Sequence, residues 1–178
     1  KANALTDESM EIVAAAAADH GKGIIIHNDA QHFSAGVDLN AFRAYIEAED
    51  WDGIDGFLDR FQKAVCALKY TPVPVVGAPS GLAAGGGYEV LAHCDRLVVH
   101  TNSVMGLVEA GVGVVPGGGG IKDTFFRWHA AKDSWDEAAW QTWMNIGYGA
   151  TGSSPQLSAR MMYFRDGHDE TVMNRDRL

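Results

Sequence analysis

Two glycine runs constrain this chain more than any other feature: Gly81-Leu82-Ala83-Ala84-Gly85-Gly86-Gly87, and the stretch from Gly111 to Gly119. Glycine inside an element costs about 0.5–1 kcal/mol relative to alanine, so such runs persist where the backbone must come close to something or turn through positive φ. The first run leads from an apolar segment into Tyr88–Cys94, which suits a helix. Free N–H groups at that junction are placed to capture an anion or a carbonyl oxygen. Close packing of helix on sheet is the other explanation, and spacing alone leaves both open. The glycines do not fit GxGxxG followed by a strand and an acid, and no P-loop Lys-Ser/Thr follows, so dinucleotide and nucleoside triphosphate binding are disfavoured.

Around these runs the pattern alternates short strands with helices. Thr6 is suited to cap a helix with Asp7 and Glu8 in its first turn, carried by Met10, Ile12, Val13 and the alanines to Ala18 and ended by Gly21 and Gly23. Gly23–His27 reads as a short buried strand and Asn28–Asp38 as loop. Ile54, Phe57, Leu58, Phe61, Val65 and Leu68 recur at spacings of three and four, the stripe of an amphipathic helix. Val73–Ala78 is a strand with prolines at its margins, as an edge position allows. Arg96–His100 is a further strand; helices are expected from Gly119 to Trp128, from Asp136 to Trp143 and from Glu170 to Leu178. The class is α/β.

At 178 residues the chain is one domain, large enough to bury about 70% of its unfolded surface. Its 47% hydrophobic and 21% charged residues describe a globular protein. A net charge of −9 opposes generic nucleic-acid or anionic-membrane binding. No run reaches the roughly 18 apolar residues of a membrane span. No signal peptide is visible in residues 1–20. Cys66 and Cys94 have no metal-like spacing and read as reduced thiols, giving an expected cytoplasmic location. The chain opens at Lys1 without Met, and a piece of a longer protein is expected.

The seven histidines form no HxxxH or HExxH pattern, so no metal site is expected, and Ser34 and Ser80 lie in no GxSxG elbow. His93, one turn after Glu89, reads as helix surface or as a satisfied partner. Trp128, Trp135, Trp140 and Trp143 are expected in core packing, with a pocket wall as the alternative. Phe33-Ser34-Ala35-Gly36-Val37-Asp38-Leu39 is a second loop that follows a strand and opens a helix. With Gly81–Glu89 it suggests two backbone donors converging on one oxygen, which stabilises charge developing on a carbonyl.

These two loops, together with Val114-Val115-Pro116-Gly117-Gly118-Gly119, resemble the crotonase (enoyl-CoA hydratase/isomerase) superfamily in motif, order and separation over roughly Ala2 to Phe126. The resemblance implies a crotonase-like (ClpP/crotonase) fold of repeated ββα units, here expected to be shortened at both ends, in trimers or dimers of trimers. It implies an acyl-CoA substrate, with coenzyme A as part of the substrate and no separate cofactor. The thioester oxygen would lie between the N–H groups of Val37 and Gly86, in a pocket formed with Ala35, Gly36, Asp38, Leu39, Gly85 and Gly117. Lys1, beside Asn3-Ala4-Leu5, matches the family's CoA-contact region and is a candidate phosphate contact.

By the same resemblance Glu89 and Glu109, twenty residues apart, occupy the positions of the two hydratase glutamates. Glu109 would protonate C2 of a 2-enoyl thioester, and Glu89 would orient or activate the water that attacks C3. Two carboxyls in a partly dry site can divide such roles, because burial and mutual repulsion separate their pKa values. The implied activity is enoyl-CoA hydration of the fatty-acid β-oxidation type. Double-bond isomerisation and a non-catalytic acyl-CoA-binding or assembly module are the alternatives. Residues 1–150 are expected to form the catalytic core and 151–178 a truncated helical tail. That tail resembles the crotonase part of proteins that also carry a 3-hydroxyacyl-CoA dehydrogenase, although no dinucleotide fingerprint occurs in these residues.

Overall fold

The computed structural model describes residues 2–178, so the expected Lys1 contact lies outside the described residues. In chain order the elements are α1 (Asp7–Ala18), β1 (Ile24–Ile26), α2 (Leu39–Glu47), α3 (Trp51–Lys69), β2 (Val75–Gly77), β3 (Leu82–Ala84), α4 (Gly86–Ala92), β4 (Arg96–His100), β5 (Val104–Gly106), a 3-10 turn (Glu109–Val112), α5 (Gly120–Lys132), α6 (Trp135–Gly147), β6 (Thr151–Gly152), α7 (Pro155–Ala159), β7 (Glu170–Val172) and a last 3-10 turn (Arg175–Arg177).

The strands divide between two sheets, β1-β2-β4-β7 and β3-β5-β6. The first is parallel throughout, and the second pairs β3 with β5 in parallel and β5 with β6 antiparallel. Each ββα unit contributes one strand to each sheet: β2 and β3 precede α4, and β4 and β5 precede α5. β1 followed by Ser34, which bridges to Ala83 of β3, repeats the scheme in abbreviated form before α2 and α3. The expected α/β architecture of ββα repeats is therefore present.

The core forms where the α3 stripe meets the sheets. Phe57, Phe61, Val65 and Leu68 are buried with Val75, Leu91, Leu97 and Val99. At roughly 1.5–3 kcal/mol for each large apolar side chain removed from water, this stripe supplies much of the drive to fold. Local caps fix where helices begin. Thr6 and Ser9 form a capping box on α1, and the Asp38, Asp50 and Ser134 side chains cap α2, α3 and α6.

Several expectations are corrected. α1 keeps its expected reach from the Thr6 cap to Ala18, and only the stop differs, since Asp19 rather than Gly21 leaves helical geometry. β2 is not an edge strand: it lies between β1 and β4, and Pro74 escapes the usual penalty because it precedes the paired residues. Glu170–Leu178 is not one helix: Glu170–Val172 pairs in parallel with the open edge of β4 at Val98–His100, and only the 3-10 turn Arg175–Arg177 is helical. Residues 151–178 thus hold two strands and the short α7 rather than a helical tail. Of the four tryptophans expected in the core only Trp128 is buried; Trp135, Trp140 and Trp143 are each more than half exposed. No helix among the described residues is long and apolar enough to cross a membrane.

Candidate active site

The loop of residues 33–38 and strand β3 run side by side, because Ser34 N–H donates to the Leu82 carbonyl and Ala84 N–H to the Ser34 carbonyl, at 2.9 and 3.0 Å. Val37 and Gly86 each lie three residues beyond the Ser34–Ala83 pair, so the register carries them forward together. A second bridge, Leu5 to Val37, uses the Gly36 carbonyl and the Asp38 N–H, at 2.8 and 3.1 Å, and leaves the Val37 N–H unused. Among the described residues neither Val37 N–H nor Gly86 N–H donates to a protein acceptor.

Two glycines make the approach of these loops possible. Gly36 is at φ +93°, and a β-carbon there would meet the Ala84 carbonyl oxygen at 3.0 Å and the Gly86 nitrogen at 3.3 Å. Gly85 is at φ +53°, and its N–H bonds the Gly106 carbonyl at 2.8 Å. Ala35 is exposed and its N–H bonds Ala2; Leu39 is the exposed first residue of α2. The Asp38 carboxylate accepts from Asn40 N–H at 3.0 Å, so its visible role is that of a cap. Gly117 accepts a hydrogen bond from Gln62 at 2.7 Å and lies across from Leu58.

Glu89, in the first turn of α4, is 1% exposed. Its Oε1 accepts from Gly118 N–H at 2.9 Å and Gly120 N–H at 2.8 Å, two donors at the start of α5. Burial pushes the Glu89 carboxyl up to about 7; the Gly120 amide lowers it, the nearby Glu109 charge raises it, and the Gly118 amide lowers it. Glu109 opens the 3-10 turn after β5, half-buried, with Oε2 buried and without a hydrogen bond among the described residues. Burial raises its carboxyl as well, opposed by its own amide and that of Val108. The Glu89–Glu109 influence and the Gly85–Glu109 contact bring both acids to the loop that carries Gly86.

Beside this cluster lies a cavity of about 970 Å³, walled by Val115, Ile121, Phe125, Trp143 and Ile146 and reaching Gly117–Gly119 and Ala110. Its lining is suited to an apolar chain that ends near polar groups. Among the described residues no group of three or more His, Cys, Asp or Glu could hold a metal ion.

Gly118 and Gly120, the donors that hold Glu89, carry no signal in the sequence beyond the length of the glycine run. Of the two expectations for His93, helix surface or a satisfied partner, the second holds at Nδ1. The ring is buried, with Nδ1 2.7 Å from the Glu89 carbonyl oxygen.

A family model described as "Enoyl-CoA hydratase/isomerase" matches residues 1–128. A Bacillus subtilis protein described as "Probable 3-hydroxyacyl-CoA dehydrogenase" is 32% identical over 157 residues, which are 88% of this chain and 20% of that protein. The fatty acid oxidation complex subunit alpha of Idiomarina loihiensis is 33% identical over 102 residues, covering 57% of this chain and 14% of that protein. The chain therefore spans a fifth or less of these two relatives. The crystal structure of an enoyl-CoA hydratase from Bacillus anthracis superposes with a TM-score of 0.76 at 20% identity, covering 97% of this chain and 62% of that one.

Proposed function

The chain belongs to the enoyl-CoA hydratase/isomerase family, and from that premise we propose that it is an enoyl-CoA hydratase domain, adding water across a 2-trans-enoyl-CoA to give a 3-hydroxyacyl-CoA. The observation that carries this reading is the buried Glu89 carboxyl, held by the Gly118 and Gly120 amides, with Glu109 close by at Gly85.

In this proposal the Val37 and Gly86 N–H groups donate to the thioester oxygen. They stabilise the negative charge that gathers there as water attacks C3, an effect worth about 10²–10³-fold per donor. Glu89 takes the proton of the attacking water, and Glu109 delivers a proton to C2. The two acids have then exchanged protonation states, Glu89 holding the water's proton and Glu109 ionised, and proton exchange with solvent resets both before the next turnover. The apolar cavity receives the acyl chain, and coenzyme A enters as part of the substrate. Similarity to a protein described as a 3-hydroxyacyl-CoA dehydrogenase supports a fused or associated dehydrogenase that oxidises the product.

The test follows the enone absorbance of a 2-enoyl-CoA in wild type, Glu89→Gln and Glu109→Gln, each checked for folding. Wild-type turnover that falls by orders of magnitude in both variants supports the two-carboxylate hydratase. A wild type that binds CoA esters but leaves the absorbance unchanged defeats it, and turnover of a 3-enoyl-CoA instead would establish an isomerase.

A further inference from the structure

Behind Glu89 lies a buried charge cluster that the proposed reaction does not use. His93 is 2% exposed and Asp123 is 6% exposed. A carbonyl oxygen only accepts, so the 2.7 Å contact with the Glu89 carbonyl places a proton on Nδ1 of His93. In the neutral ring Nε2 is then a bare acceptor, and it lies 3.2 Å from Asp123 Oδ2. Neither atom has an aligned hydrogen bond among the described residues. Two facing acceptors in a dry interior repel; a proton on Nε2 turns the contact into a charge-assisted bond to the Asp123 carboxylate.

The pair also ties together every element that fixes Glu89. Asp123 Oδ1 is paired with Lys69 of α3, and Asp123 sits in the first turn of α5, whose leading amides hold Glu89. The imidazole packs on Gly119, the residue between those donors: a β-carbon there would meet His93 Cε1 at 2.9 Å and Nε2 at 3.0 Å. We infer that His93 and Asp123 form a proton-sharing clamp that positions the Glu89 carboxyl against Gly118 and Gly120; for the proposed reaction this makes them positioning residues, and in that respect the inference rests on the hydratase reading.

Burial holds His93 below its usual value; the Glu89 carbonyl and the Asp123 charge raise it, and Lys122 and Lys69 lower it. In the adjoining cavity Arg127 donates to the Tyr88 hydroxyl and the Ala92 carbonyl. Arg165 and His168 both engage the Asp95 carbonyl there. These groups are committed elsewhere, which leaves Asp123 as the acceptor that faces Nε2.

The experiment uses nitrogen-15 and carbon-13 labelled protein titrated through neutral pH. Wild type is expected to carry a proton on His93 Nδ1 throughout. Asp123→Asn keeps the shape and removes the charge. It is expected to displace the Gly118 and Gly120 amide resonances and to raise the Glu89 carboxyl midpoint, because the two amides that hold it down are misplaced. Lys63→Ala, on the exposed Asp59 pair, should leave all three signals in place. In the hydration assay Asp123→Asn should lower kcat by about 10–100-fold with KM within about twofold, the signature of a misplaced catalytic group. A folded Asp123→Asn protein with unchanged amides and an unchanged Glu89 midpoint overturns the clamp. So does a wild-type His93 whose Nδ1 is unprotonated at neutral pH, a result available even if the variant does not fold. A wild type that hydrates no enoyl-CoA defeats the hydratase reading, while the spectra still decide the clamp.

Discussion

Gly85 and Glu109 meet across the site: a β-carbon on Gly85 would lie 2.9 Å from Glu109 Oε1 and 3.3 Å from its carboxyl carbon. At φ +53° and ψ −129° the same residue occupies backbone space that side chains of L-residues rarely enter. Gly85→Ala therefore has two costs, backbone strain of about 1–3 kcal/mol and displacement of the carboxyl. The expected outcome is a folded protein with a lower Tm and hydration slowed by about 10²-fold or more. Near-wild-type turnover would show that the position of Glu109 is unimportant.

Glu89→Gln keeps an oxygen for the Gly118 and Gly120 amides and removes the ionisable acid. Turnover should fall by about 10²–10⁴-fold. Stability should shift in a pH-dependent way. The folded carboxyl titrates at about 7, above its ordinary 4.5, so the folded protein binds the proton more tightly than the unfolded chain. The stability this provides is complete below about 4.5 and is lost as pH rises through about 7, on the order of 3 kcal/mol in all. Urea melts at pH 5 and pH 8 should show this loss in wild type and a smaller loss in Glu89→Gln.

The pH–rate profile should carry the same signature. With Glu89 acting as the base, kcat/KM climbs as its carboxyl ionises near pH 7. Because the Glu109 charge acts on Glu89, the inflection belongs to the pair. Removing the acidic limb by Glu89→Gln, measured on residual activity, would tie that limb to Glu89; a limb that persists would assign it elsewhere.

Gly118→Ala tests how tightly the loop is packed. Its β-carbon would fall 2.5 Å from Cε1 of Phe61 and 2.8 Å from Glu89 Oε2, between the core stripe and the carboxyl. Overpacking of this kind costs about 1–3 kcal/mol, so a clear drop in Tm is expected together with loss of turnover. A variant that melts like wild type would mean that the loop moves freely.

The two thiols should separate chemically. Cys94 is buried and its thiol is pushed up to about 12, chiefly by burial, whereas Cys66 is partly accessible and lines the large cavity. An aromatic disulfide reagent should label one thiol in the native protein and two in denaturant. Rapid labelling of both in the native state would contradict the burial of Cys94.

Much of this was legible in the sequence because the relevant signals are local. The α3 stripe announces itself at spacings of three and four, and its apolar positions from Phe57 to Leu68 pack into the core as expected. The glycines at 36 and 85 mark positions where positive φ and close approach leave no room for another residue. What escaped depends on partners distant in sequence. Glu170–Val172 reads as helical by itself and becomes a strand because β4 offers an edge. Trp135, Trp140 and Trp143 look like core by composition, yet α6 presents them outward. His93 is buried by α5, an element that nothing near residue 93 foretells.

Glu89 is synthesised 29 and 31 residues before the two amides that hold its carboxyl. On a growing chain α4 must emerge with that acid still in water, where it ionises as any surface glutamate does. Its altered proton affinity is acquired only when the Gly118–Gly120 loop arrives and water is driven out. Chemical competence is thus a late event in the life of each molecule, and a chain released before Gly120 would display the motif without the acid it requires.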